Sequence, residues 1–171
     1  MPAGTVNVCW LSQAPLQVEL GLDPASHAFP SKEALVNALF RTWKERIAQQ
    51  VYAACPTQAT PRAQFHAMWR DFARFALDHP EAFAFLEHHH HASYLDAESR
   101  GLDANLKHFG ALFVARAQAQ GVLKPQAPML LMELVFGAFN GIIRAHMEGR
   151  LTLDAAAIDA AGAACWDAIK L

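Results

Sequence analysis

Four adjacent histidines, His88 to His91, follow Glu87 in the middle of the chain. Imidazole and carboxylate groups are the usual ligands of a transition metal, so this cluster is the most conspicuous candidate for chemistry. Its spacing works against that use. Successive helical residues turn by about 100 degrees, so only His88 with His91, or Glu87 with His91, can face one cation together. A structural zinc takes four ligands and a catalytic one typically three, and His79, His108 or Glu98 would have to converge from elsewhere to complete the set. No metal site is expected. Because imidazole titrates near neutrality, one of these histidines could instead bind an acidic ligand or make its affinity depend on pH.

Other reactive arrangements are missing from the sequence. There is no phosphate-cradling glycine loop, no nucleophile elbow and no helical His-Glu-x-x-His motif. His66, His79, His108 and His146 are scattered, as surface or boundary histidines are. The chain is not expected to be an enzyme or to carry a cofactor.

A binding cavity has better support. Phe65, Met68, Trp69 and Phe72 fall on one helical stripe, Leu106, Phe109 and Phe113 on a second, and Met132, Phe136 and Phe139 on a third. Ligand cavities are mostly apolar with a few polar groups that orient the ligand, and the same stripes also suit a filled core. Asn140 stands inside the most apolar stretch, where an unpaired amide costs about 1–3 kcal/mol. It requires a partner, which could be a ligand, a backbone carbonyl or a residue across a dimer. Arg144, one turn on, could add charge at a pocket mouth or pair with Glu133 or Glu148.

The elements that would position these residues all read as helices. Ser31 caps a helix running to about Ala54, with Leu35, Leu39, Trp43 and Ile47 as its stripe. Pro61 opens the next, and Pro80 sets a boundary before a short helix over Ala82 to His89. Asp96 begins a longer helix that ends near Gly121. Pro125 or Pro128 opens a helix that is apolar around much of its circumference, and Asp154 to Ile169 forms the last. Gly137 and Gly141, one turn apart, would admit a second backbone, either from the same subunit or across a symmetric dimer. For a dimer the candidate contacts are Gly137, Phe139 and Gly141 on one helix, with Ile158, Gly162 and Trp166 on the other.

Composition sets the outer limits. The chain has 171 residues, 53% of them hydrophobic, which is enough to bury one sizeable core. Its 14 Lys and Arg nearly balance 16 Asp and Glu, so any contact with a polyanion would have to be local. Three cysteines, Cys9, Cys55 and Cys165, lack framework or metal spacing and fit a reducing cytoplasm. No signal peptide is evident, and the apolar run from Met129 to Phe139 is short for a bilayer and interrupted by Glu133, so no membrane contact is expected.

The stretch "FPSKEALVNALF", Phe29 to Phe40, resembles the junction that follows the DNA-reading helix-turn-helix of TetR-family transcriptional regulators. The resemblance continues through "HPEAFAFLEHHHHASYLDAESR" and ends with "LTLDAAAIDAAGAACWDAI". It implies an all-α, TetR-like helical bundle, the C-terminal ligand-binding and dimerisation domain of such a regulator, over residues 31–171. Residues 1–30 would be a shortened helix-turn-helix remnant. In that reading a small hydrophobic effector is held by Phe65, Trp69, Phe72, His88, His91, Leu106, Phe109, Phe113, Met132, Phe136 and Asn140, and the last two helices form a homodimer. The family resemblance also implies operator DNA as a partner. Met1 to Ser31, however, contains no Lys or Arg and carries Glu19 and Asp23, a poor basis for neutralising phosphates. A helical dimerisation or interaction module without a ligand is the alternative, and a metal-dependent enzyme using the histidine cluster is a third reading.

Overall fold

Side-chain caps decide where most of the helices begin. The computed structural model describes residues 29–56, 58–88 and 93–171, without the side chains of residues 54 and 88. Among the described residues six helices carry the chain: α1 Lys32–Ala54, α2 Pro61–Asp78, α3 Pro80–His88, α4 Ala97–Ala119, α5 Pro128–Met147 and α6 Ala155–Ile169. Ser31 Oγ accepts the Ala34 N–H at 3.1 Å, and Thr60 Oγ1 accepts that of Ala63 at 3.3 Å. Asp96 and Asp154 serve Ser99 and Ala157 in the same way, at 2.8 and 2.7 Å. Each cap contributes about 1 kcal/mol by satisfying an N–H that has no partner inside its helix.

Proline and glycine complete the punctuation. Pro61 and Pro128 occupy first-turn positions, where a missing N–H costs nothing. Pro80 does the same for α3, so that helix starts two residues earlier than the sequence suggests. The helix α5 starts at the second of its two candidate prolines. Gly121, at φ 68°, turns the chain out of α4, with the Val122 N–H donating to the Ala117 carbonyl at 3.0 Å. Gly149, at φ 72°, follows α5 in the same conformation.

The second helix, α2, is the hub. It packs against α1, α3, α5 and α6, while α4 lies across α1 and α5. Aromatic rings from neighbouring helices meet edge-on. Trp69 and Phe139 have centroids 5.1 Å apart, Trp43 and Phe75 6.0 Å apart, and Phe83 meets Phe139 at 5.9 Å. Such pairs add about 0.5–1.5 kcal/mol each beyond the area they bury. The chain end is pinned by a single antiparallel bridge, Leu123 with Lys170, and Ile169 is buried beside it.

Asn37 locks α1 to the turn before α4. Its Nδ2 donates to the Glu33 and Tyr94 carbonyls at 2.8 and 2.7 Å, and its Oδ1 accepts the Asp96 N–H at 2.9 Å. A buried amide with both ends engaged fixes geometry that apolar packing alone leaves loose.

At 20 residues α5 is longer than its apolar core suggests in the sequence, and by length and composition it could cross a bilayer. Its inward face nonetheless packs on α2, α4 and α6, as the core helix of a bundle does.

Candidate functional site

The aromatic stripes of α1, α2, α4 and α5 do not close on one another completely. They leave a cavity of about 530 Å³, with Leu86 and Glu87 of α3 and Ile169 of α6 also on its wall. This volume suits a drug-sized molecule. Phe65, Trp69 and Phe72 reach the cavity from α2, Leu106, Phe109 and Phe113 from α4, and Met132, Phe136 and Asn140 from α5. Nine residues named from the sequence thus face one space. His91 lies outside the described residues, as do the side chain of His88 and almost all of residues 1–30.

One end of the cavity is polar. Lys44 Nζ of α1 lies 3.0 Å from Asp103 Oδ1 of α4 and 3.4 Å from Glu87 Oε1 of α3. It also sits 5.4 Å from the centre of the Phe40 ring. Lys107 Nζ takes the other oxygen of Asp103 at 2.9 Å. Burial pushes the Asp103 carboxyl up, but Lys44 and Lys107 more than offset this and hold it below the usual carboxylate range. The hydrogen bond to Asp103 holds the Lys107 ammonium above its ordinary value. Lys44 and Glu87 are only 12% and 15% exposed, so their charges feel one another with little screening.

Asn140 completes this end. Its Nδ2 donates to Glu87 Oε2 at 3.4 Å, whereas its buried Oδ1 has no hydrogen-bonding partner among the described residues. The amide cannot be turned round to advantage, since its carbonyl would then face a carboxylate. The sequence requires a partner for Asn140, and the structure supplies one for half of it. Arg144 is exposed and is not on the cavity wall.

Sequence reasoning missed Lys44, Glu87, Asp103 and Lys107, although a signal exists for the first. Phe40, Lys44, Ile47 and Val51 recur at helical spacing and all line the cavity, so Lys44 is a charge within an apolar stripe. The scattered histidines have ordinary surroundings. His79 packs beside the Trp43 ring, centroids 5.1 Å apart, and His146 Nδ1 lies 3.1 Å from the Leu151 carbonyl. Burial, followed by the nearby Arg62 and Arg70, lowers the His66 pKa. Among the described residues no three His, Cys, Asp or Glu side chains come together as metal ligands do.

The proposed dimer contacts divide: Phe139, Gly162 and Trp166 are buried within their own subunit, and Ile158 is half-buried. Phe139 is 3% exposed and meets Trp69, Phe72 and Phe83 inside its own subunit. It lies two residues from both Gly137 and Gly141, about 200 degrees round the helix, so it cannot share their face. Ile158, Gly162 and Trp166 form the stripe of α6 that faces α2. The Ile158 carbonyl accepts Trp69 Nε1–H at 2.8 Å, a Cβ on Gly162 would stand 2.8 Å from the Trp69 ring, and Trp166 lies 5.4 Å from Phe65. The opposite face of α6 consists of the exposed Ala156, Ala160, Ala164 and Ala168. Gly137 and Gly141 behave differently, because a Cβ at either would meet nothing within 4 Å. They continue an outward stripe that begins with Leu130 and Leu134, which are 58% and 55% exposed.

Gly110 lines the cavity beside Met132. A Cβ there would come within 2.6 Å of Met132 Sδ, the flexible end of a side chain on the cavity wall. Gly110→Ala is therefore expected to displace the Met132 thioether while gaining up to about 1 kcal/mol of helix stability. A higher unfolding midpoint together with weaker binding of the largest ligands is the result to look for; binding unchanged across ligand sizes would show that the space at Met132 is not used.

Residues 40–171 match the family model described as the tetracyclin repressor-like C-terminal domain. No curated protein matches the chain. Among solved structures, a protein of unknown function from Rhodococcus sp. RHA1 is similar at a TM-score of 0.79 with 24% identity, covering 98% of this chain and 89% of the other. A TetR family protein from Vibrio parahaemolyticus gives 0.70 with 26% identity, over 94% and 88%. A TetR family transcription regulator from Marinobacter aquaeolei VT8 gives 0.73 with 22% identity, over 90% and 82%.

Proposed function

The chain belongs to the TetR family of transcription regulators, and from that premise we propose that residues 31–171 are its sensing and dimerisation domain, a homodimer that takes one small hydrophobic effector per subunit. The cavity carries this reading. Its wall is built largely from Phe, Trp, Met and Leu, yet one end holds a partly buried ion-pair cluster and a buried amide oxygen that no described residue satisfies. A region selected only for stability would close such a space, because unfilled volume and unpaired polar atoms both cost free energy.

The outward stripe of α5 and the alanine face of α6 support the dimer. Two leucines followed by two glycines, beside a row of alanines, allow two such helix pairs to approach closely as a four-helix bundle. Lys44 supplies a route from the cavity to α1. It holds α1 to Glu87 of α3 and Asp103 of α4, so a ligand that competes for Glu87 alters what fixes the first helix of the domain. We assign no DNA contact to residues 1–30, where Lys and Arg are absent. The protein is read as cytoplasmic and as having no enzymatic activity.

Thermal unfolding against a panel of hydrophobic acids, phenols and amines tests the sensor reading. At a hundredfold excess over its dissociation constant a true ligand stabilises by about 2.7 kcal/mol, a shift of several degrees. A panel without any response would favour a bare dimerisation module.

A further inference from the structure

The polar end of the cavity specifies more than a hydrophobic ligand, and we propose that the effector is an apolar molecule bearing a protonated amine, bound with its ammonium between Glu87 and Asn140. This rests on the sensing role proposed above and adds the charge and chemical class of the ligand.

The hydrogen-bonding balance of the cluster points that way. Both oxygens of Asp103 are taken by ammonium groups, at 3.0 and 2.9 Å. Glu87 is held less closely, by Lys44 Nζ at Oε1 and Asn140 Nδ2 at Oε2, each at 3.4 Å. Asn140 Oδ1 has no donor among the described residues. The unmet demand is therefore for N–H or O–H groups, and both candidate partners are acceptors.

Four head groups can be ranked on that basis. A carboxylate would add an acceptor where acceptors already lack donors, and it would have to draw Lys44 or Lys107 away from Asp103. A hydrocarbon would leave Glu87 and Asn140 as they are. An alcohol has one proton to donate and can satisfy one of them. An ammonium has up to three, can serve both, and brings the countercharge that Glu87 obtains only weakly from Lys44. The wall as a whole agrees, since Glu87, Asp103 and Glu133 outnumber Lys44 and Lys107 by one charge. The rings along the rest of the cavity accept an apolar body, and their faces attract a cation that enters past them.

Four probes that share one skeleton separate these possibilities: 4-phenylbutylamine, 4-phenylbutanol, 4-phenylbutanoate and butylbenzene, compared by thermal shift at neutral pH with the full chain. The amine is expected to bind at least about tenfold more tightly than the alcohol, with the acid weakest. Glu87→Gln should bring the amine down to the level of the alcohol. Asn140→Leu should weaken amine and alcohol together, spare butylbenzene, and raise the midpoint of the ligand-free protein by removing an unsatisfied acceptor. Retained binding of butylbenzene shows that each variant still folds around its cavity. An acid that binds as well as the amine, or an amine preference that survives Glu87→Gln, overturns the inference while leaving the sensing role in place. If none of the four moves the midpoint by as much as about 1 °C, the sensing role falls as well.

Discussion

Replacing Trp69 by alanine is expected to destabilise the protein by about 3–5 kcal/mol, a large share of the stability of a domain this size. The indole is 5% exposed and touches two other helices, α5 and α6. Its ring lies 6.0 Å from Phe65 and 5.1 Å from Phe139, its Nε1–H donates to the Ile158 carbonyl at 2.8 Å, and its five-membered ring covers Gly162. Truncation removes all of these contacts and joins the vacated volume to the existing cavity, which the neighbours cannot refill. Trp69→Phe separates the contributions, because it keeps most of the packing and loses the hydrogen bond, at about 1 kcal/mol. Urea denaturation reads both values. A loss below about 1 kcal/mol for the alanine variant would mean that α6 is held to α2 by other contacts, of which the exposed Arg70–Asp159 pair at 2.5 Å is the nearest candidate.

Leu134→Glu should have its largest effect between subunits. Leu134 is more than half exposed in the single subunit, so the change costs an isolated chain little. At a two-fold interface the same substitution places a charge from each subunit in an apolar contact. That costs several kcal/mol, and the dimer dissociation constant should rise at least about 100-fold. Sedimentation at micromolar concentration, with helix content followed by circular dichroism, distinguishes dissociation from unfolding. A folded protein whose self-association is unchanged by Leu134→Glu would exclude the α5 stripe as the dimer surface.

The helices were readable because their ends are set locally. Ser31, Thr60, Asp96 and Asp154 each satisfy an N–H within the first turn, and Gly121 closes α4 within the last. Pro80 was readable as the boundary before α3 but not as the helix's own first residue, since the same ring either stops a helix or opens one. Eight of the nine cavity residues were readable as members of apolar stripes, because burial imposes a helical period on whatever side chain is used.

The dimer residues show where that logic stops. Ile158, Gly162 and Trp166 read as an apolar stripe fit for a dimer contact, yet Gly162 and Trp166 are buried in the subunit with Ile158 half-buried beside them, and it is the alanine face that points out. Periodicity identifies an apolar face without saying which body covers it. The polar end of the cavity fails for a related reason. Lys44, Glu87 and Asp103 are 43 and 59 positions apart in the chain, counted from Lys44, and come together only when three helices cross.

Caps, turns and helical period act over one or two turns, so the number, order and limits of the helices follow from neighbouring residues. The cavity exists because four aromatic stripes stop short of one another, and that separation depends on how six helices pack at once. Asn140 joins the two levels. Its cost in an apolar helix follows from its neighbours in the chain, but the crossing of α3 and α5 determines that Glu87 meets its Nδ2 and leaves its Oδ1 to something else.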